Sequence, residues 1–293
     1  MDSIGVIDQA VSDRYALYNG DSVEILKGIP NNSVHYSIFS PPFASLYTYS
    51  NSERDLGNCR TTDEFYSQFK YIVDDLYRVL MPGRLVSFHC MDLPLSKERD
   101  GIIGLRDFRG ELIKLFESSG FVLHSQVCIW KDPVIAMQRT KAIGLLHKQL
   151  KKDSCMSRQG IPDYLVTMRK PGDNDEPVSH TNESFPVEIW QRYASPIWTD
   201  INPSDTLQAT SARDEKDERH ICPLQLTVIR RALNLWTNPG DTVLTPFMGI
   251  GSEAYVALEN GRRAIGIELK QSYFQQAVKN CEGVVAHEQT SLW

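Results

Sequence analysis

Apolar residues recur along the chain in two periods. Between Thr62 and Leu80, residues Phe65, Phe69, Ile72, Leu76 and Leu80 fall three or four apart, which lines one face of a helix, and Met81-Pro82-Gly83 predicts its end. Short runs rich in β-branched and aromatic residues read instead as strands: Tyr15 to Asp21 (YALYNGD), Val34 to Ser40 (VHYSIFS), Arg84 to His89 (RLVSFH) and Phe121 to Trp130. A helical turn at Val23 to Lys27 separates the first two, and a helix around Arg109 to Ser119, stopped by Gly120, precedes the fourth. Strands alternating with helices predict an α/β fold, with a mostly parallel sheet covered on both faces.

From about Asp132 to His220 this rhythm breaks. The segment holds one good strand pattern, Tyr164 to Arg169, then a polar, proline-punctuated stretch (KPGDNDEPVSHTNESFP) and a charge run, ARDEKDER, that reads as a solvated loop. Order returns with a helix at Pro223 to Trp236, the strand Asp241 to Pro246 (DTVLTP), the glycine loop FMGIGS, a helix ending near Gly261 and the strand Arg263 to Leu269 (RAIGIEL). Three parts follow: residues 1–131, an inserted region 132–219 with a sheet-completing strand at 163–170, and residues 220–293.

Composition narrows this picture. A chain of 293 residues with 41% hydrophobic residues can bury a substantial core. Its apolar runs are far shorter than the roughly 20 residues of a membrane-spanning helix. The N-terminus shows no secretory signal pattern, so the expected compartment is the cytoplasm and no membrane partner is expected. Six scattered cysteines, none at C-x-x-C spacing, predict reduced thiols and no metal site. The net charge of -6 hides an uneven distribution: Lys131 to Lys170 carries nine Lys or Arg against three Asp, a basic island in an acidic body.

The C-terminal pattern carries chemistry. A strand, Gly249-x-Gly251, a helix, and a second strand ending in Glu268 form a βαβ nucleotide-binding unit, with the carboxylate 17 residues after Gly251 and so placed for ribose hydroxyls. Any tight strand-to-helix turn favours glycine, and Ala254 at the third glycine position leaves NAD open.

Ser40-Pro41-Pro42-Phe43, followed near the other end of the chain by Thr245-Pro246-Phe247-Met248-Gly249-Ile250-Gly251-Ser252, resembles the amino-methyltransferases of DNA. Their catalytic motif has the form (D/N/S)-P-P-(Y/F) and their cofactor motif resembles D-P-F-x-G-S-G. Catalytic motif first, then a target-recognition region, then the cofactor motif is the permuted order of the beta class. The resemblance implies a Rossmann-like, mostly parallel seven-stranded sheet, S-adenosylmethionine as cofactor and methyl transfer to N6 of adenine or N4 of cytosine. Within it, Asn19-Gly20-Asp21-Ser22 resembles the loop whose acid, here Asp21, contacts the cofactor adenine. His220-x-x-Pro223-x-Gln225 partly resembles the segment flanking the methionine end, so His220 and Pro223 join Thr245, Phe247, Gly249, Gly251 and Glu268 as cofactor candidates. Thr245 departs from the usual aspartate and Ile250 from the usual serine. Double-stranded DNA is the implied partner, and a homodimer is implied by resemblance alone.

The chemistry accounts for the motif. An exocyclic base amine is a poor nucleophile because its lone pair is delocalised into the ring. Acceptors beside its two hydrogens, the Ser40 hydroxyl and the Pro41 carbonyl, would favour the pyramidal nitrogen that attacks a sulfonium methyl group. The prolines fix φ and remove competing N-H groups, and Phe43, extended by Tyr47 and Tyr49, offers a face for a base flipped out of the duplex. In the island, Arg139, Lys141, Lys148, Lys151, Lys152 and Arg158 are candidates for phosphate contact, although Ile143 to Leu150 also fits an amphipathic helix with a solvated basic face. Adenine N6 is the expected target, with cytosine N4 the alternative that a leading serine favours. Cytosine C5 chemistry needs a Pro-Cys loop, whereas this chain has Cys222-Pro223. The remaining alternatives are an inactive DNA-binding module and an NAD-dependent oxidoreductase, both disfavoured by the intact S-P-P-F.

Overall fold

A computed structural model describes residues 5–42, 59, 61–140, 145–208 and 223–291. Strand β1 (Val6–Val11) pairs antiparallel with β2 (Tyr15–Gly20). Its side chains are largely exposed, so it carries no buried-strand pattern for sequence reading to find. The short helix α1 (Ser22–Leu26) starts at the N-cap Asp21, whose carboxylate accepts the Val23 N-H, and β3 (Val34–Phe39) follows.

Helix α2 (Thr62–Val79) is capped by Thr61, whose hydroxyl accepts the Glu64 N-H. It buries Phe65, Phe69, Ile72 and Leu76 of the predicted stripe together with Val73 and Val79, whereas Leu80, the last predicted position, lies beyond the helix. Each such side chain stabilises the fold by about 1.5–3 kcal/mol relative to exposure. The helix stops at Val79, because Pro82 can neither donate to the helix nor let its predecessor adopt helical angles, and residues from Leu80 already belong to β4 (Leu80–Cys90). A small hairpin of β5 (Leu93–Leu95) and β6 (Gly104–Arg106) encloses α3 (Lys97–Asp100). Helix α4 (Phe108–Ser118) and β7 (Val122–Ile129) then complete the first alternation.

The inserted region contributes α5 (Pro133–Thr140), α6 (His147–Leu150), β8 (Asp163–Arg169), α7 (Val187–Tyr193) and the two-residue β9 (Ile197–Trp198). The amphipathic helix considered for Ile143 to Leu150 is, in its described part, the single turn α6. Then come α8 (Leu226–Trp236), β10 (Thr242–Thr245), α9 (Ser252–Glu259), β11 (Arg263–Glu268) and α10 (Gln271–Ser291). Helix α10 is not among the elements expected from the sequence, because its buried stripe of Phe274, Ala277, Cys281 and Val284 is made mostly of small side chains.

The main sheet runs β1-β2-β11-β10-β3-β4-β8-β7-β9. Its interior seven strands, β2 to β7 in that order, are the expected seven, and β1 and β9 extend the two edges. Neighbours from β2 through β4 pair in parallel, while β8 runs antiparallel between β4 and β7. One apolar layer joins the sheet to α1, α2 and α4 through residues such as Leu26, Phe69, Phe88 and Phe116. The other joins it to α8, α9 and α10 through Tyr36, Val228, Val256 and Phe274. The strand Tyr164 to Arg169 thus lies inside the sheet, buried on both faces. No helix among the described residues is long and apolar enough to cross a membrane.

Candidate active site

The parallel strands β2, β11, β10, β3 and β4 all end at one edge of the sheet, so the loops that follow them gather there. Strand β10 lies between β11 and β3, with Leu244 opposite Ser37. The glycine loop after β10 and the Ser40 loop after β3 are therefore neighbours despite their distance in sequence. Two contacts tie them. Ser37 Oγ donates to the Leu244 carbonyl at 2.8 Å, and the Phe39 and Phe247 rings meet with centroids 5.7 Å apart. Phe247 also stacks on Phe69 at 6.0 Å, so this cofactor candidate is anchored in the aromatic core under α2.

Hydrogen bonds hold the glycine loop open. Glu268 Oε2 accepts the Gly249 N-H at 2.8 Å and Oε1 accepts the Lys270 N-H at 2.8 Å. Asn19 Nδ2 donates to the Glu268 and Leu269 carbonyls, and Ser22 Oγ donates to the Pro246 carbonyl at 2.5 Å, which clips the Asp21 loop to the glycine loop. Both loop glycines have positive φ, 55° at Gly249 and 90° at Gly251, but for different reasons. A Cβ on Gly251 would meet Ala277 of α10 at 3.0 Å, whereas one on Gly249 would meet nothing within 4 Å. Gly251 serves helix packing, and Gly249 borders open space.

Two buried hydroxyls of this cradle, Thr245 Oγ1 and Ser252 Oγ, have no hydrogen-bond partner among the described residues, nor does Gln225 Oε1 near the half-buried Pro223. Such groups are costly unless a ligand or water completes them. A polar cofactor fits them. Beneath the loop, Glu253 is fully buried in the first turn of α9. Burial first, and then the neighbouring Glu268 charge, push its pKa up to about 8. Glu253 does not stand out in the sequence, since an acid in the first turn of a helix reads as an ordinary favourable placement.

At the other loop, Ser40 is half-buried, Pro41 is buried and Pro42 half-buried. Ser40 Oγ lies 3.2 Å from Nδ1 of His89, the penultimate residue of β4. His89 Nε2 lies 3.1 Å from Asp163 Oδ2, off the alignment of a hydrogen bond, and Lys131 Nζ lies 2.5 Å from the same oxygen. Burial alone would push the Asp163 pKa up, but His89 and Lys131 beside it outweigh that and hold it below the usual carboxylate range. His89, Asp163 and Lys131 are not among the residues that the sequence singles out. A histidine within a strand and an acid at the start of another carry no local sign that they converge. The serine, histidine and acid do not amount to acyl-transfer machinery, because Pro41 and Pro42 supply no N-H to an oxyanion.

Several predicted residues fall elsewhere. Phe43, Tyr47, Tyr49, Lys141 and His220 lie outside the described residues, and Arg139 is described only as part of α5. Lys148, Lys151 and Lys152 are exposed, and Arg158 is half-buried, its pKa lowered by burial. Far from the loops, at the start of β3 and β10, His35, Glu176 and Asp241 bring ligand-type atoms together. There His35 Nδ1 accepts the Thr242 N-H at 3.1 Å, which leaves Nε2 to carry the ring proton toward Glu176 at 3.0 Å, while Arg84 lies 3.2 Å from Asp241. Hydrogen bonds and an ion pair already satisfy this group.

Comparison with known proteins bears on this geometry. A DNA methylase family model matches residues 34–279. The Type II methyltransferase M.BglII of Bacillus subtilis is 24% identical over 284 residues, which cover 91% of this chain and 69% of that protein. The DNA adenine methyltransferase YhdJ of Escherichia coli is 22% identical over 283 residues, covering 94% and 85%. Among solved structures, TTHA0409 of Thermus thermophilus, complexed with S-adenosyl-L-methionine, aligns with a TM-score of 0.69 at 23% identity, covering 94% of this chain and 95% of that one. PvuII DNA methyltransferase, cytosine-N4-specific, aligns with a TM-score of 0.66 at 16% identity, covering 96% and 94%. These structural likenesses establish the fold.

Proposed function

The chain belongs to the DNA methylase family whose members methylate exocyclic amines of adenine or cytosine with S-adenosylmethionine, and from that premise we propose that it methylates N6 of adenine at a specific site in duplex DNA, with the base flipped into the Ser40 loop. The observation that carries this reading is the junction of two loops: Ser40-Pro41-Pro42 after β3 beside the glycine loop after β10.

In this reading Glu268, Asp21, Thr245 and Gly249 hold the cofactor, with Gly251 seating the loop on α10, Phe247 bracing it and His220 and Pro223 closing the methionine end. When bound, the cofactor supplies a methyl group on a sulfonium, the S-C electron pair staying with sulfur as the N-C bond forms. The remaining work belongs to the chain. Ser40 Oγ and the Pro41 carbonyl accept the two amine hydrogens, which draws the lone pair out of the ring and onto nitrogen, and once the N-C bond has formed one of those hydrogens leaves as a proton to water. Phe43 stacks on the flipped base. Arg139, Lys141, Lys148, Lys151, Lys152 and Arg158 contact phosphates. A homodimer belongs to the same proposal on resemblance alone.

A second reading, N4 of cytosine, is favoured by one residue: the leading Ser40, which in related motifs leans toward cytosine. The cytosine-N4-specific PvuII enzyme, whose fold this chain shares, is consistent with it. Mass analysis of nucleosides from DNA incubated with the protein and S-adenosylmethionine separates the two. The expected product is N6-methyladenine, N4-methylcytosine alone moves the target to cytosine, and neither product ends the proposal.

A further inference from the structure

Resting on the reading of Ser40 as an amine acceptor, we propose that His89, Asp163 and Lys131 form a positioning chain that commits the Ser40 hydroxyl proton to His89 and leaves the serine lone pairs to the base amine. The need for such a device comes from serine itself. An aspartate or asparagine at the head of this motif offers a carbonyl-type oxygen with no hydrogen on it, whereas a hydroxyl both donates and accepts. A hydroxyl turned the wrong way would donate to the amine nitrogen and tie up the electron pair that has to attack. Serine at this position therefore works only with its proton held elsewhere.

The structure supplies the holder. His89 lies on β4, hydrogen-bonded between β3 and β8, so its ring reaches both Ser40 at the end of β3 and Asp163 at the start of β8. The Asp163 carboxylate oxygen lies 3.1 Å from Nε2, off the alignment of a hydrogen bond, and its charge favours the ring proton on that nitrogen. Lys131, 2.5 Å from the same carboxylate oxygen, balances the Asp163 charge. Nδ1 then presents its lone pair to Ser40 Oγ at 3.2 Å, and the hydroxyl hydrogen points to it. Asp163, at the centre of the chain, is itself buried, its side chain 4% exposed. The three residues act on the reaction through Ser40 and do not touch the base.

Two isosteric variants separate this role from a merely structural one. His89→Asn keeps an amide near the Nδ1 position and can still hold the Ser40 proton. His89→Gln keeps an amide near the Nε2 position, facing Asp163, and cannot. In single-turnover methylation at saturating cofactor, His89→Gln is expected to lose about tenfold or more in rate, with S-adenosylmethionine affinity unchanged. His89→Asn is expected to stay within about threefold of the parent. Equal losses in both variants, or a larger loss in His89→Asn, overturn the proposal. A second readout needs neither cofactor nor turnover: nitrogen NMR of the histidine-labelled parent protein should show His89 protonated on Nε2, with an unprotonated Nδ1 signal that moves in Ser40→Ala. A proton on Nδ1 overturns the proposal whatever the variants do. Parent protein that methylates no DNA would defeat the functional reading, a result distinct from either of these.

Discussion

Both oxygens of Glu268 already accept backbone N-H groups, from Gly249 and Lys270, yet each keeps lone-pair capacity for ribose hydroxyls. Its removal should act twice, deleting a ligand contact and releasing the loop that the carboxylate shapes. Glu268→Ala is expected to weaken S-adenosylmethionine binding by about 10- to 100-fold, or ~1.4–2.7 kcal/mol, as read by calorimetric titration; unchanged affinity would remove Glu268 from the site. Glu268 and Ser40 stand out in the sequence as candidates because each lies in a local pattern, a strand end after a glycine loop and the head of a Pro-Pro turn. His89 does not. Its partners are Ser40, just after β3, and Asp163 on β8, with Lys131, two positions beyond β7, reaching it only through Asp163, and only sheet order makes them neighbours.

At the scale of the element, helix α9 carries an unusual group, the fully buried Glu253 with a pKa of about 8. The sign follows from linkage. The folded state holds a proton that the unfolded chain releases near the ordinary glutamate value, so the stability this group contributes is greatest below about pH 4 and falls as pH rises toward 8, by at most about 1.4 kcal/mol per pH unit. Glu253→Gln removes that dependence. Urea midpoints measured from pH 5 to 8.5 should fall in the parent and stay level in the variant, and parallel curves would contradict the assignment. Strongly periodic elements such as α2, and strands bounded by glycine and proline, were legible in the sequence. The exposed β1 and the small-residue stripe of α10 were not, since neither shows a period of large apolar side chains.

On the whole molecule, charge is segregated. Part of the basic island, Lys148, Lys151 and Lys152, is exposed on α6 and the turn after it, in a chain that is acidic elsewhere, which makes that turn the part of the island to test against phosphate. Replacing Lys148, Lys151 and Lys152 together with alanine should weaken DNA binding and flatten its dependence on salt by about 0.9 in log-log slope for each phosphate no longer neutralised. Cofactor affinity should not change. An unaltered slope in a filter-binding or anisotropy series would make this segment a solvated face that does not touch DNA.

The sequence by itself determined the α/β alternation, the permuted order of its two motifs and the identity of the Ser40 and Gly249 loops, because each is encoded by contiguous residues. Only the tertiary structure decided that β8 runs antiparallel inside the sheet, that Gly251 answers to Ala277 and Gly249 to open space, and that Ser40 meets His89, which in turn lies beside Asp163, the carboxylate paired with Lys131. The reason is physical: local periodicity specifies which face of a strand or helix is apolar, whereas the partner of a buried polar atom depends on which strands become neighbours.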